Sequence, residues 1–172
     1  MFLVKEIYYT LQGEGARSGR PAVFCRFAGC NLWTGRERDR ENAVCNFCDT
    51  DFVGLDGPGG GKFKDAQEIS DAIDSIWPKD EEKKYVVLTG GEPALQVNEL
   101  FIDKLHDAGF EVAIETNGTL PLPPNLDWVT VSPKSNSVLE ITSGDELKLV
   151  FPQEGVNPNS FQKLVFKNFF LQ

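Results

Sequence analysis

Between residues 65 and 132 the chain switches back and forth between two hydrophobic periods, and this constrains its fold more than any other feature. Ile69, Ala72, Ile73, Ile76 and Trp77 fall at helical spacing, so one apolar stripe faces a core. Asp65 stands in N-cap position, Glu68 three residues on completes a capping-box pattern, and Pro78 marks the helix end. Tyr85-Val86-Val87-Leu88-Thr89 then reads as a buried strand, stopped by Gly90-Gly91-Glu92-Pro93. A second helix carries Val97, Leu100, Phe101, Leu105 and Ala108 on one face, with Gly109 as its stop. Further strands are expected over residues 111–115, 128–132 and 147–151, and in the N-terminal third over 5–11 and 21–27. A short helical stretch over 159–164 leads into Phe169-Phe170-Leu171. Strands alternating with helices imply an α/β fold with a parallel sheet and crossover connections. Ligands of such sheets sit beyond the C-terminal strand ends, where residues 90–93, 115–118 and 132–134 all fall.

A length of 172 residues suits one domain, and 41% apolar residues suffice for one packed core. Lys and Arg total 17 against 26 Asp and Glu, a formal charge of −9 that argues against a broad basic footprint for nucleic acid. An acidic surface leaves room for a local basic pocket that takes an anionic small molecule. No apolar run approaches the roughly 20 residues of a membrane-spanning helix, and Met1-Phe2-Leu3-Val4-Lys5 does not open a secretory signal. Four cysteines are too few for a disulfide scaffold and point to a reducing, cytoplasmic setting with metal or redox roles.

The glycine-rich residues 54–62 resemble a phosphate loop only superficially. That pattern needs Gly where Asp56 stands and Ser or Thr where Phe63 stands, so a mobile surface turn is expected. Cys30, Cys45 and Cys48 are separated by 14 and then two residues. Three thiolates without a nearby histidine suit a structural zinc site poorly. They suit a 4Fe–4S cluster with one iron left open. A thioredoxin-like redox pair at Cys45 and Cys48 is the alternative. Cys25 shares the strand face of Val23 and Phe27 and reads as a buried core thiol. His106 falls on the polar side of its helix and reads as a surface residue.

Three segments carry a family resemblance: Tyr9-Thr10-Leu11-Gln12-Gly13-Glu14-Gly15, then residues 19–33 ending Gly29-Cys30-Asn31-Leu32-Trp33, then Cys48-Asp49-Thr50. They resemble the N-terminal signature of radical S-adenosylmethionine enzymes, specifically the 7-carboxy-7-deazaguanine synthases. Thr89-Gly90-Gly91-Glu92-Pro93, Glu115-Thr116-Asn117-Gly118 and Ser132-Pro133-Lys134 match the same family in order. Most of the superfamily has a cysteine where Thr34 stands. Here residues 31–44 form an extended, charge-dense cluster loop, as in one branch of these synthases. Family members also continue several dozen residues past the position of Gln172, so a C-terminal segment is expected to be missing from this single domain of residues 1–172.

The resemblance implies a partial β/α barrel and a lyase reaction. A cluster on Cys30, Cys45 and Cys48 reduces S-adenosylmethionine, the resulting radical abstracts hydrogen from 6-carboxy-5,6,7,8-tetrahydropterin, and ring contraction with ammonia loss gives 7-carboxy-7-deazaguanine on the way to queuosine. It further implies that Phe47, Gly91, Glu92, Glu115, Asn117, Ser132, Pro133, Lys134 and Gln172 contact the cofactor. Leu11, Gln12, Gly13, Glu14, Arg26 and Thr89 contact the substrate, and Thr50 helps bind Mg2+. A homodimer and a reductant protein such as a flavodoxin follow from the family alone. Two rival readings remain at this level: a glycyl-radical activase and a non-catalytic zinc-binding module.

Overall fold

The computed structural model describes residues 1–79 and 83–172. Its strands are β1 (Phe2–Leu11), β2 (Pro21–Phe27), β3 (Gly61–Phe63), β4 (Tyr85–Gly90), β5 (Glu111–Thr116), β6 (Trp128–Val131), β7 (Ser143–Leu149) and β8 (Val165–Leu171). Two α-helices, α1 (Ala66–Ile76) and α2 (Glu99–Asp107), accompany them. All eight strands join in one sheet of order β3-β1-β2-β4-β5-β6-β7-β8. β1 runs antiparallel to β2 and β3, while β2 and β4 to β8 are parallel. The sheet does not close, so the expected mostly parallel, partial-barrel α/β architecture is observed.

Strand alternation sorts the two faces. Ile7, Cys25, Leu88, Ile114 and Val129 follow one another across the sheet on the helix side. Glu6, Arg26 and Thr89 do the same on the opposite face, as do Glu115, Thr130, Glu146 and Asn168 further along. The chain therefore builds an apolar core on one side and a polar concave face on the other. In α1, Ile69 and Ile73 are fully buried in that core, each contributing about 1.5–3 kcal/mol. Asp65 caps α1 by accepting from Glu68 N at 2.9 Å, but the Glu68 carboxylate accepts from Lys64 N, one residue outside the usual box. Cys25 is fully buried, as its alternation predicts.

Some local expectations fail. Leu100 is 61% exposed and Ile102 is fully buried, because the inward arc of α2 is Phe101, Ile102 and Leu105. At 100° per residue Leu100 points about 150° from the centre of that arc. Residues 54–60 are no free turn. Pro58 O accepts from Ile7 N at 2.7 Å and Gly57 N donates to Lys5 O at 3.0 Å, so this loop lies on β1 and feeds β3. A Cβ at Gly57 would stand 2.7 Å from Lys5 O, which is why small residues crowd there. β7 runs Ser143–Leu149, earlier than the expected 147–151, because its pairing with β8 begins at Ser143, and Phe151 N still donates to Gln172 O at 2.8 Å beyond its end. Residues 159–164 form only a short 3-10 turn, Pro158–Phe161. His106 does lie at the surface, with its side chain 34% exposed, and bonds Asp127 at 2.8 Å, bracing the end of α2.

Candidate active site

The concave face holds a cavity of about 380 Å³. Its wall collects the residues that follow the parallel strands: Thr89 and Gly91 at β4, Glu115 and Asn117 at β5, Ser132 and Lys134 after β6, and Gln172 after β8. Glu14 from the β1–β2 turn and Phe47, Cys45, Cys48 and Thr50 from the cluster loop complete it. Ten sequence-predicted positions thus meet with two of the three thiols, from segments far apart in the chain. The third thiol, Cys30, shares a smaller adjoining cavity with Cys45 and Cys48.

The turn after β4 explains why the thiols and the cleft adjoin. Gly91 N donates to Phe27 O at 3.2 Å and Glu92 N to Gly29 O at 2.9 Å, so the turn crosses the end of β2 backbone to backbone. A Cβ on Gly91 would lie 2.6 Å from Gly29 C and 3.0 Å from Cys30 Cβ. Only glycine permits that approach. Glu92 departs from its expected place at the cofactor. It is fully buried, and its carboxylate accepts from Ala94 N (2.9 Å), Thr116 Oγ1 (2.7 Å) and Asn117 N (2.8 Å). It clamps the β4 turn to the end of β5 and leaves the glycine backbone to face the cleft. Burial pushes its carboxyl above the ordinary range despite the three donors.

Around the thiols, the Cys48 side chain is lowered to about 6, chiefly by a hydrogen bond from Cys45, with Thr50 assisting. The same bond, with burial, pushes Cys45 up. Burial also raises Cys30. Arg40 of the charged insert lies 4.1 Å over the Trp33 ring and donates to Asn46 O (2.9 Å) and Cys48 O (3.0 Å). The insert itself is a single exposed 3-10 turn, Glu37–Asn42. The Asn117 side-chain amide donates to Asn31 Oδ1 at 2.9 Å, fastening this loop to β5. Lys134 donates to Ser132 Oγ at 2.6 Å and stands 5.9 Å from the Phe47 ring.

Several predicted residues stand off the cavity wall. Arg26 does face the concave side, yet its guanidinium is committed to Glu6 (2.8 Å) and Tyr8 (3.2 Å), because β1 places these beside it. Leu11 is exposed and stands off the wall, Gly13 has no side chain, buried Pro133 accepts through its carbonyl from Gln153 Nε2 at 3.4 Å, and buried Gln12 donates to Glu115 Oε1 at 3.0 Å. Asp49 and Thr116, which stand in the matching motifs without an assigned role, also line the cavity, as do Val150 and above all Lys148, which no motif contains. Lys148 had a signal: it stands between Leu147 and Leu149, whose inward alternation turns it to the opposite, concave face.

A cleft at the ends of parallel strands, backed by three thiols, defines a class of enzyme. Residues 40–137 match the family model described as Radical SAM superfamily, and the fold and site agree with it. A 7-carboxy-7-deazaguanine synthase of Bordetella pertussis is 60% identical, one of Burkholderia multivorans 58% and one of Nitratidesulfovibrio vulgaris 61%, each match covering 99% of this chain and 81% of the relative. A structure titled "Crystal structure of QueE from Escherichia coli" aligns with a TM-score of 0.64 and 28% identity, covering 86% of this chain and 69% of that one. The chain belongs to the 7-carboxy-7-deazaguanine synthase family.

Superfamily membership implies a 4Fe–4S cluster and S-adenosylmethionine. The residues fit both groups. Three thiols on one small cavity can hold three irons and leave the fourth open toward the cleft. Among the described residues, no three His, Cys, Asp or Glu side chains are grouped to hold a single metal ion. Trp33, whose buried indole nitrogen has no hydrogen-bond partner among the described residues, lines the same small cavity. No described helix is long and apolar enough to cross a membrane.

Proposed function

We propose that this chain converts 6-carboxy-5,6,7,8-tetrahydropterin to 7-carboxy-7-deazaguanine with loss of ammonia, as a radical S-adenosylmethionine lyase serving queuosine formation. The observation that carries the reading is the junction at Gly91, where the three-thiol cavity and the strand-end cleft share one wall. A cluster held by Cys30, Cys45 and Cys48, with S-adenosylmethionine bound beside it, would supply the one-electron chemistry for hydrogen abstraction. The protein binds, orients and shields.

In this reading the backbone of Gly91 receives the methionine ammonium and Phe47 packs on the adenine. Glu115 offers a ribose hydroxyl its Oε2, since Oε1 already accepts from Gln12 and Lys148. Asn117, Ser132, Pro133, Lys134 and Gln172 border the nucleoside. Glu14, Thr89 and the backbone of residues 11–13 serve the pterin. A substrate carboxylate would meet the Nη1 end of Arg26, since Nε donates to Glu6 and Nη2 to Tyr8. Thr50 beside Asp49 supplies oxygen to Mg2+, a hard cation. A homodimer, a flavodoxin-type reductant and a cytoplasmic setting belong to the same reading, as does a single catalytic domain.

Anaerobic turnover of reconstituted protein with the tetrahydropterin, S-adenosylmethionine and reductant, read by mass spectrometry, tests it. The deazaguanine acid is expected. Cofactor cleavage without that product removes the substrate assignment, and colourless protein with stoichiometric zinc removes the radical chemistry.

A further inference from the structure

The least explained group in the cavity wall is an ammonium. Lys148 lies on β7 with its side chain only 6% exposed. Its Nζ donates to Glu14 Oε2 at 2.8 Å and to Glu115 Oε1 at 3.1 Å. Gln12 closes the circuit: its Nε2 donates to the same Glu115 oxygen at 3.0 Å, and its Oε1 accepts from Glu14 N at 3.1 Å. Glu14 belongs to the β1–β2 turn, which folds across the concave face to β7, and Glu115 to β5. Two residues before Lys148, buried Glu146 accepts from Ala16 N at 2.8 Å, so β7 holds that turn at a second point.

We propose that Lys148 is a positioning residue that joins the pterin side of the site to the nucleoside side, holding Glu14 and Glu115 at one ammonium. The inference rests on the functional reading above, which gives those carboxylates to the two ligands. Burial alone would favour a neutral amine, but the paired carboxylates outweigh it and keep Lys148 charged. Lys148 is buried while the Glu14 side chain is 48% exposed, so the ammonium sits in the cavity wall and reaches out to a carboxylate at its rim, a placement that argues for geometry. Without the ammonium, two carboxylates would face each other and Glu14 would keep no side-chain partner among the described residues.

The test is equilibrium binding of the tetrahydropterin to reconstituted, S-adenosylmethionine-loaded enzyme without reductant. It compares wild type, Lys148→Met, Glu14→Gln, the double variant and Lys148→Arg. Lys148→Met is expected to weaken binding about 10- to 100-fold, the range of one charged hydrogen bond. The double variant is expected to bind no worse than the weaker single one, because Lys148 acts through Glu14. Lys148→Arg is expected to recover part of the loss. Lys148→Gln carries the same comparison if thermal unfolding shows the Met variant misfolded. Unchanged binding in Lys148→Met or Lys148→Gln, or losses that multiply in the double variant, overturn the inference alone. Wild type that binds no pterin overturns the functional reading together with it.

Discussion

Replacing Gly91 by alanine tests the junction between thiols and cleft most directly. The new methyl would lie 2.6 Å from Gly29 C and 3.0 Å from Cys30 Cβ, with Gly29 O nearer still. Ordinary carbon–carbon contact needs about 3.5 Å or more, so the segment carrying Cys30 must move by about 1 Å. That shift breaks the Glu92 N to Gly29 O hydrogen bond, now 2.9 Å. Overpacking costs about 1–3 kcal/mol and the lost bond about 1 kcal/mol more, together about 2–4 kcal/mol. For a chain of this size that is a fall of about 5–15 °C in Tm. The assay is thermal unfolding of the cluster-free protein, followed by iron content after anaerobic reconstitution, which should also fall as Cys30 is displaced. Gly13→Ala is the internal control, since nothing lies within 4 Å of its Cβ position and it should change stability by less than about 0.5 kcal/mol. A Gly91→Ala variant as stable as that control, with full iron, would refute the packing argument.

Two further outcomes are expected. Cys45→Ala should lose iron–sulfur absorbance and cofactor cleavage, while Cys25→Ala, fully buried on the helix side of the sheet, should keep its iron and lose about 1 kcal/mol of stability; iron analysis of both variants decides, and a cluster lost only in the second would reassign the ligands. Burial would push Glu111 up, but Arg20 and Arg17 outweigh it and hold its carboxyl below the ordinary 4.5. The stability it adds is therefore complete above about pH 4.5 and disappears as pH falls through the lowered value. The Tm gap between wild type and Glu111→Gln should be widest near neutrality and close in acid, and a gap independent of pH would contradict this.

The glycine-bounded apolar runs, the α1 cap and the order of polar turns were legible because each depends on neighbours a few residues away. Alternation along β2 put Cys25 in the core and Arg26 on the concave face without reference to any other strand. What Arg26 does there was not legible, because its partner Glu6 is supplied by β1 across the sheet. Glu92 had the right neighbours for a ligand contact, yet donors from the end of β5 consume its carboxylate.

The amino-acid order thus determined the central strands, which thiols are free to gather, and which residues stand at strand ends, since these follow from period, punctuation and side-chain chemistry within short windows; β3 and the first residues of β7 and β8 were set by their neighbours in the sheet. Tertiary structure alone decided that residues 54–60 pack on β1, that Ile102 rather than Leu100 enters the core, and that Lys148 closes a circuit with Gln12, Glu14 and Glu115. The reason is geometric. A buried polar group must find its partner wherever the fold brings one, and for Lys148 that partner lies 134 residues away along the chain.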